Sequence, residues 1–500
     1  MENKSDTIKS ITESIWMTLW TYLFMMCFVL SLYTKGTYMD LGNTKFYLYR
    51  IFSVIGAGIL LVLITILAFL KKPEINFYKK IKITDIVIFF FLLTNLITYL
   101  FSIDKSESGW GTTGWNLGFF TWTFFIFYYF IFSKYMKWKE YLWYIFLVPG
   151  FVVMLMGILN RFGIFSIYGS GTDTFFLSTI GNINWYCGYL SVFLPIGTSL
   201  LIVGDNTIKG HKLLILYVLI GYVAAMTQGS TSILIILGVM HIVLLLVCLS
   251  ERKMWITYLR VCLICGLSLE ISRFLIKIYG YDYDPGNLCI EIVNNRAGLI
   301  LFGAAFFLIS LSKLLGEMNV QWRQRTYKGI AIALIIAGVI TATIMFLKGF
   351  DDEWGNGRGF IWKYSIELFG ELNIKRKLFG IGQDYFAGYS YSKQELALIL
   401  DNRFGNARLT NAHNEFLTLT INNGIVGLLS YLFVIGTFIH SFISKYKKDK
   451  NKFALVFLVC LISYTCNNMI SFAQIMSTPY LFIIIGIGQA AVNDSDFILK

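Results

Sequence analysis

Charge is what this chain has least of. Acidic and basic residues together make up 14% of its 500 positions, against 56% hydrophobic residues and a mean hydropathy of +0.65. So little charge cannot solvate several soluble domains, and the composition places the chain in the membrane class. The eight cysteines form no CxxC pair near histidines; they sit mostly in apolar segments, as Cys27, Cys248, Cys262 and Cys265 do, and read as packing residues with no metal or cofactor implied. The opening stretch MENKSDTIKSITESIW lacks the short apolar core and small-residue cleavage site of a signal peptide, so the first apolar run is expected to stay as a membrane helix. No internal repeat, linker or low-complexity tract divides the chain, which disfavours the commonest transporter plans.

What is present is a succession of apolar runs of about twenty residues, the length that crosses a bilayer. About fourteen can be placed, from 16 to 33 at the start, through 329 to 347 and 424 to 443, to 479 to 493 at the end; the last and shortest pair has the length of partly re-entrant segments. The net charge of +13 is carried largely by short clusters on alternate connections, among them Lys71, Lys72, Lys79, Lys80 and Lys82, then Lys134, Lys137 and Lys139, and finally Lys445, Lys447, Lys448, Lys450 and Lys452. This is the pattern of cytoplasmic loops, so the charge reports topology and argues against nucleic acid as a partner. The fold class expected is an all-α polytopic membrane protein of about 12 to 14 transmembrane helices: helices over 1–347, one long extracytoplasmic loop over 348–423, and C-terminal helices over 424–500.

That long segment is the place for chemistry, since a polar loop of such size between two spans exceeds any connecting need. Within it, from Gly359 to Lys377, Phe360, Ile361, Tyr364, Leu368 and Leu372 recur at helical spacing opposite Lys363, Glu367 and Glu371, predicting an amphipathic helix on the membrane surface. Gly380, Gly382 and Gly388 mark a turn, read first as loop geometry. His413, one of four histidines, stands at the outer start of a membrane helix; an imidazole can take a proton from a hydroxyl near neutral pH, with Asn414 or Glu415 to orient it, and a purely structural interfacial histidine fits the position as well. Arginines gather at the same boundary: Arg358 before the surface helix, Arg296 at the start of a span, and Arg161, Arg403 and Arg408. Guanidinium forks suit phosphate oxygens, with headgroup snorkelling as the plainer alternative. The run Asp351, Asp352 and Glu353 has no spacing that demands a metal.

These residues, in this order, resemble the O-antigen ligase and Wzy-type polymerase superfamily of bacterial polysaccharide assembly. Gly181-Asn182-Ile183-Asn184, followed by Tyr186, Gly188 and Pro195, is similar to its Gly-Asn-x-Asn helix; Gly357-Arg358 with Trp362 to its Gly-Arg-x-x-x-Trp stretch; Gly380-Ile381-Gly382 with Phe386 to its Gly-x-Gly turn; and Ala412-His413-Asn414-Glu415 to its His-Asn signature. The resemblance covers roughly 180 to 445. It implies a GT-C-like membrane glycosyltransferase that moves a glycan from an undecaprenyl-diphosphate-linked donor to an acceptor hydroxyl outside the bacterial cytoplasmic membrane, with inversion and without a metal. It further implies that His413 activates the acceptor and Arg358 binds the diphosphate. The chain departs from the family at Gly229-Ser230-Thr231-Ser232, where a Ser-Arg-Gly is usual; Arg296 is the arginine offered in its place.

The alternative function is a transporter or flippase of the same lipid-linked sugars. A carrier should hold charges deep in its spans, and Glu270, Arg273 and His241 are its candidates. Ligase and polymerase share one donor and one base, and the motifs do not separate them.

Overall fold

A computed structural model describes residues 2–71, 81–165, 175–204, 210–314 and 351–493, apart from short internal gaps, and a few isolated positions between 325 and 336. The expected span at 329 to 347 and the first residues of the long polar segment lie outside this description. Among the described residues the only strands are a two-residue pair; the rest of the regular structure is helical, and the fold is that of an all-α polytopic membrane protein.

Among the described residues, six helices are long and apolar enough to cross a membrane: Lys4–Leu30, Leu41–Lys71, Ile83–Leu100, Leu142–Arg161, Ile183–Val203 and Gly424–Asp449. A seventh candidate is a broken one, Leu288–Asn294 and Ala297–Lys313, bent by 63°. Four more apolar helices are shorter. Ala454–Asn467, for instance, has 14 residues, and at 1.5 Å per residue it rises only ~21 Å of a ~30 Å hydrocarbon core. The helix Arg252–Tyr279 is long enough, but Arg260, Glu270 and Arg273 interrupt its apolar run.

Lipid as solvent explains which faces stay bare. Along Leu41–Lys71, Ile55, Val62 and Phe69 project outward with 59%, 60% and 82% of their surface exposed, a face that water would penalise and acyl chains would not. The helix Ile183–Val203 is the opposite case, buried all round its apolar window.

The chain divides into two compact units. One comprises 1–145, 362–461 and 468–500; the other comprises 146–361 with 462–467. In the first, Phe119–Tyr135 packs along Thr478–Asn493, and Ile83–Leu100 along Gly424–Asp449. Trp122 anchors this packing, its ring meeting Phe91, Tyr431 and Phe482 edge-on. In the second, Ile183–Val203 packs on His211–Thr227, and Arg252–Tyr279 on Ala297–Leu314.

The amphipathic helix expected from 359 onward is present. Trp354–Glu371 takes helical dihedrals after Gly355, Asn356 and Gly357, which are left-handed. Ile361, Tyr364, Leu368 and Leu372 are buried, while Lys363, Glu367 and Glu371 are exposed. The helix stops short of the expected end because Asn373 starts another, its side chain accepting the Arg376 N–H at 3.0 Å.

Candidate active site

In the unit formed by 146–361, the polar residues converge on the start of Ile183–Val203. A hairpin leads into that helix, with Phe176 paired to Asn182 and Leu177 to Gly181. Asn182 is the N-cap: its Oδ1 accepts the Asn184 N–H at 2.8 Å. Asn184 then meets the segment that departs from the family pattern, its Oδ1 lying 2.9 Å from Ser230 Oγ. Asn287 donates to the Gly229 carbonyl at 2.7 Å, so this turn is held from two sides. The two asparagines of Gly-Asn-x-Asn thus have distinct tasks, one capping the helix and one fastening the next connection to it.

Arg358 belongs to the same cluster. It follows the left-handed run 355–357, donates Nη1 to the Gly355 carbonyl at 2.6 Å, and lies close enough to the Cys187 thiol for the two to interact electrostatically. Cys187 is one turn into Ile183–Val203, so the fold brings Gly-Arg and Gly-Asn-x-Asn together within this unit. Arg161, only 1% exposed, donates to the Gln228 carbonyl beside the same turn. Arg296 stands elsewhere. It is exposed, has φ of 58°, and occupies the break between Leu288–Asn294 and Ala297–Leu314. Of the arginines at this boundary, Arg161 is the one buried beside the Gln228–Ser230 turn, and its place at the end of an apolar run gave the sequence reading no reason to rank it above the others.

In the other unit, His413 is half-buried, with φ of 45°. Its backbone N–H donates to Asn411 Oδ1 at 2.9 Å, and its ring stands edge-on to Phe472 with centroids 5.4 Å apart. Asn414 caps the helix Glu415–Asn422, its Oδ1 accepting from Phe416 and Leu417 at 2.9 and 3.1 Å. Glu415 is buried, and its carboxylate accepts the Ala473 N–H at 2.6 Å. Both residues thus fix the chain around His413, with partners other than its ring.

The Gly-x-Gly turn closes this site from below. Ile381 and Gly382 donate to the Ile421 and Asn422 carbonyls at 3.1 and 3.0 Å, joining the turn to the end of the His413-led helix. Gly380 and Gly382 have φ of 79° and 132°, and a Cβ on Gly382 would lie 2.3 Å from Ser108 Oγ, so close approach as well as the turn itself requires glycine here. Two residues later Asp384, buried and itself at φ of 54°, accepts from the Thr112 and Leu117 N–H groups at 2.9 and 3.0 Å. The sequence reading passed over Asp384; the signal it carried was a lone acid directly after a glycine turn.

Asp384 and Glu415 line one pocket with Asn411, Asn422, Trp115 and Phe472. Burial pushes the Glu415 carboxyl up to about 7 and that of Asp384 up to about 8, the latter with added repulsion from Glu107 and Glu415. Among the described residues no group of three His, Cys, Asp or Glu side chains is arranged to hold a metal.

The fold and this arrangement define a polytopic helical membrane protein with a polar site around His413 in one unit and, in the other, a polar cluster at the start of Ile183–Val203 that includes Arg358. Residues 288–432 match the family model described as O-antigen ligase. That segment contains Arg296, Arg358, His413, Asn414 and Glu415, and supports the O-antigen ligase-like superfamily resemblance; the Gly-Asn-x-Asn helix lies before it. No curated protein matches the chain. The family match indicates a membrane enzyme of the ligase or polymerase type.

Proposed function

We propose that the protein is a membrane glycosyltransferase that moves a glycan from an undecaprenyl-diphosphate-linked donor to an acceptor hydroxyl on the outer face of the bacterial cytoplasmic membrane. The observation that carries this reading is the O-antigen ligase match over a segment that holds both Arg358 and His413. The alternation of basic clusters along the sequence supports an extracytoplasmic position for that segment.

In the reaction proposed, the His413 imidazole accepts the proton of the acceptor hydroxyl while its oxygen attacks the anomeric carbon opposite the leaving group. The bond from that carbon to the phosphate oxygen breaks, and undecaprenyl diphosphate leaves with the electron pair. Inversion follows from single displacement. Charge on the leaving group spreads over oxygens that a guanidinium can bind through two parallel hydrogen bonds, so Arg358 supplies the stabilisation a metal would otherwise give. Arg296 is proposed as a further diphosphate contact, and Asn414 and Glu415 as supports of the base.

The carrier alternative drew on three charged or titratable residues in the spans, and each has a structural partner. Glu270 pairs with Arg273 at 3.2 Å and accepts the Leu299 N–H at 3.1 Å at the start of the bent helix, while His241 bonds the Tyr222 hydroxyl at 2.8 Å. The reading is tested by turnover of extracted lipid-linked saccharide in nanodiscs containing native protein, His413→Ala or Arg358→Ala. Native turnover in both variants would refute it.

A further inference from the structure

Two buried carboxyl groups of the His413 unit, Asp384 and Glu415, are placed to act together. Glu415 joins two segments: its N–H donates to the Asn468 carbonyl at 2.8 Å, and its Oε2 accepts from Ala473 at 2.6 Å. Ala473 follows Phe472, whose ring meets His413, so Glu415 holds the histidine turn and the aromatic wall beside it in one frame. Asp384 does the same for the next wall. It binds the Thr112 and Leu117 N–H groups, its own carbonyl accepts from Thr112 Oγ1 at 2.6 Å, and the turn so held carries Trp115, which meets Phe472 edge-on at 4.8 Å. A line of ring contacts therefore runs from Trp115 through Phe472 to His413.

Both acids face the same water-sized space, and among the described residues no Lys or Arg lines it. Asn422, 4% exposed, lines it too, and its Oδ1 has no hydrogen-bond donor among the described residues. A buried carbonyl oxygen without a donor calls for a proton-bearing group in that space, a water or a protonated carboxyl. The other titratable groups nearby are Glu107, which accepts from Thr112 Oγ1 at 2.7 Å, and His413 itself.

We propose that Asp384 and Glu415 are positioning residues for His413: a carboxyl pair that shares protons across one pocket and, while it keeps them, holds Phe472 and Trp115 in register with the histidine ring. Both carboxyl groups titrate above the ordinary range of about 4. Their protonated forms are therefore favoured by the fold. The stabilisation this gives is complete below that ordinary range and is lost as pH rises through about 7 and about 8. Beyond that point two anions next to Glu107 face one another without a cation, and the segments they hold separate.

This inference rests on His413 being the base only where turnover is read, and the test keeps the two apart. Full-length protein in nanodiscs is titrated from pH 5 to 10 as native, Glu415→Gln, Asp384→Asn and the double variant, following tryptophan fluorescence with Trp115→Phe as the reference for that ring. Gln and Asn keep an oxygen for the backbone donors but cannot ionise. The expected result is a Trp115-dependent transition near pH 7 to 8 in the native protein that the double variant lacks. Turnover of the extracted lipid-linked saccharide should decline over the same range in the native protein and hold in the double variant. Glu415→Ala should lower kcat by about 10²-fold with donor KM unchanged, as misplacement of a base does. Loss of Trp115 signal change in the native protein, or its persistence in the double variant, overturns the proposal. Native turnover in His413→Ala overturns the base reading instead and leaves the fluorescence result standing.

Discussion

The rings of His413 and Phe472 stand at 86° to one another with centroids 5.4 Å apart, an edge contact between residues 59 positions apart in the chain. Edge-to-face pairs contribute about 0.5–1.5 kcal/mol beyond their buried area, enough to select one orientation of a half-buried imidazole. Removing the ring in Phe472→Ala should therefore lower turnover by about 2- to 12-fold while donor binding persists. His413→Ala should lower it by ~10²- to 10⁴-fold, the range for loss of a general base. The two variants are compared in one turnover assay, with donor binding measured on the same preparations; equal losses would contradict the division of labour.

Asn414 is expected to act through stability. Its Oδ1 satisfies two N–H groups at the start of Glu415–Asn422, and removing such a cap costs about 0.5–2 kcal/mol. Asn414→Ala should show a lower thermal midpoint in detergent, and Asn414→Asp, which keeps the accepting oxygen, should remain near native. A midpoint unchanged in the alanine variant would mean the cap carries no weight.

Much of this arrangement was legible in the sequence, and what was missed was missed for physical reasons. The amphipathic face of Ile361, Tyr364, Leu368 and Leu372 came directly from helical spacing, because burial there depends on local periodicity. The role of Asn414 was harder, since Asn beside His fits both a ring partner and a helix cap, and only the backbone direction decides. Asp384 was invisible for a different reason: its partners Thr112 and Leu117 lie more than 260 positions away, and no local pattern records such a contact.

Gly382 provides a test of the turn itself. Its φ of 132° is open to glycine almost alone, and an added Cβ would press on Ser108. Gly382→Ala should destabilise the protein by at least about 1 kcal/mol, read as a lower thermal midpoint. Gly382→Ala combined with Ser108→Gly removes one contact but leaves the added Cβ 2.8 Å from Ser102 Cβ and the dihedral unchanged, so only partial recovery is expected.

The sidedness of the site is accessible to labelling. The proposed topology has Lys447 inside and Lys393 outside, so in intact cells an impermeant thiol reagent should modify Lys393→Cys and not Lys447→Cys. Both positions lie away from the candidate catalytic residues, and the eight native cysteines are buried or half-buried, which keeps background labelling low. The reverse pattern would put the chemistry in the cytoplasm and remove an exported lipid-linked donor from consideration.

Arg358 carries the sharpest distinction between a phosphate ligand and a headgroup anchor. It follows three left-handed residues, and its Nη1 donates to the Gly355 carbonyl at 2.6 Å. A diphosphate gains from two parallel N–H bonds in fixed geometry, whereas a membrane headgroup is served as well by any mobile cation. Arg358→Lys keeps the charge and loses the fork. If the residue clamps the donor, Arg358→Ala should abolish turnover, and Arg358→Lys should recover only a small part of it, with weakened donor binding in both. If it only anchors the chain at the interface, lysine should restore activity fully. Donor binding and turnover on purified, folded variants separate the cases, and full rescue by lysine would move the diphosphate contact elsewhere, with the buried Arg161 the next guanidinium to examine.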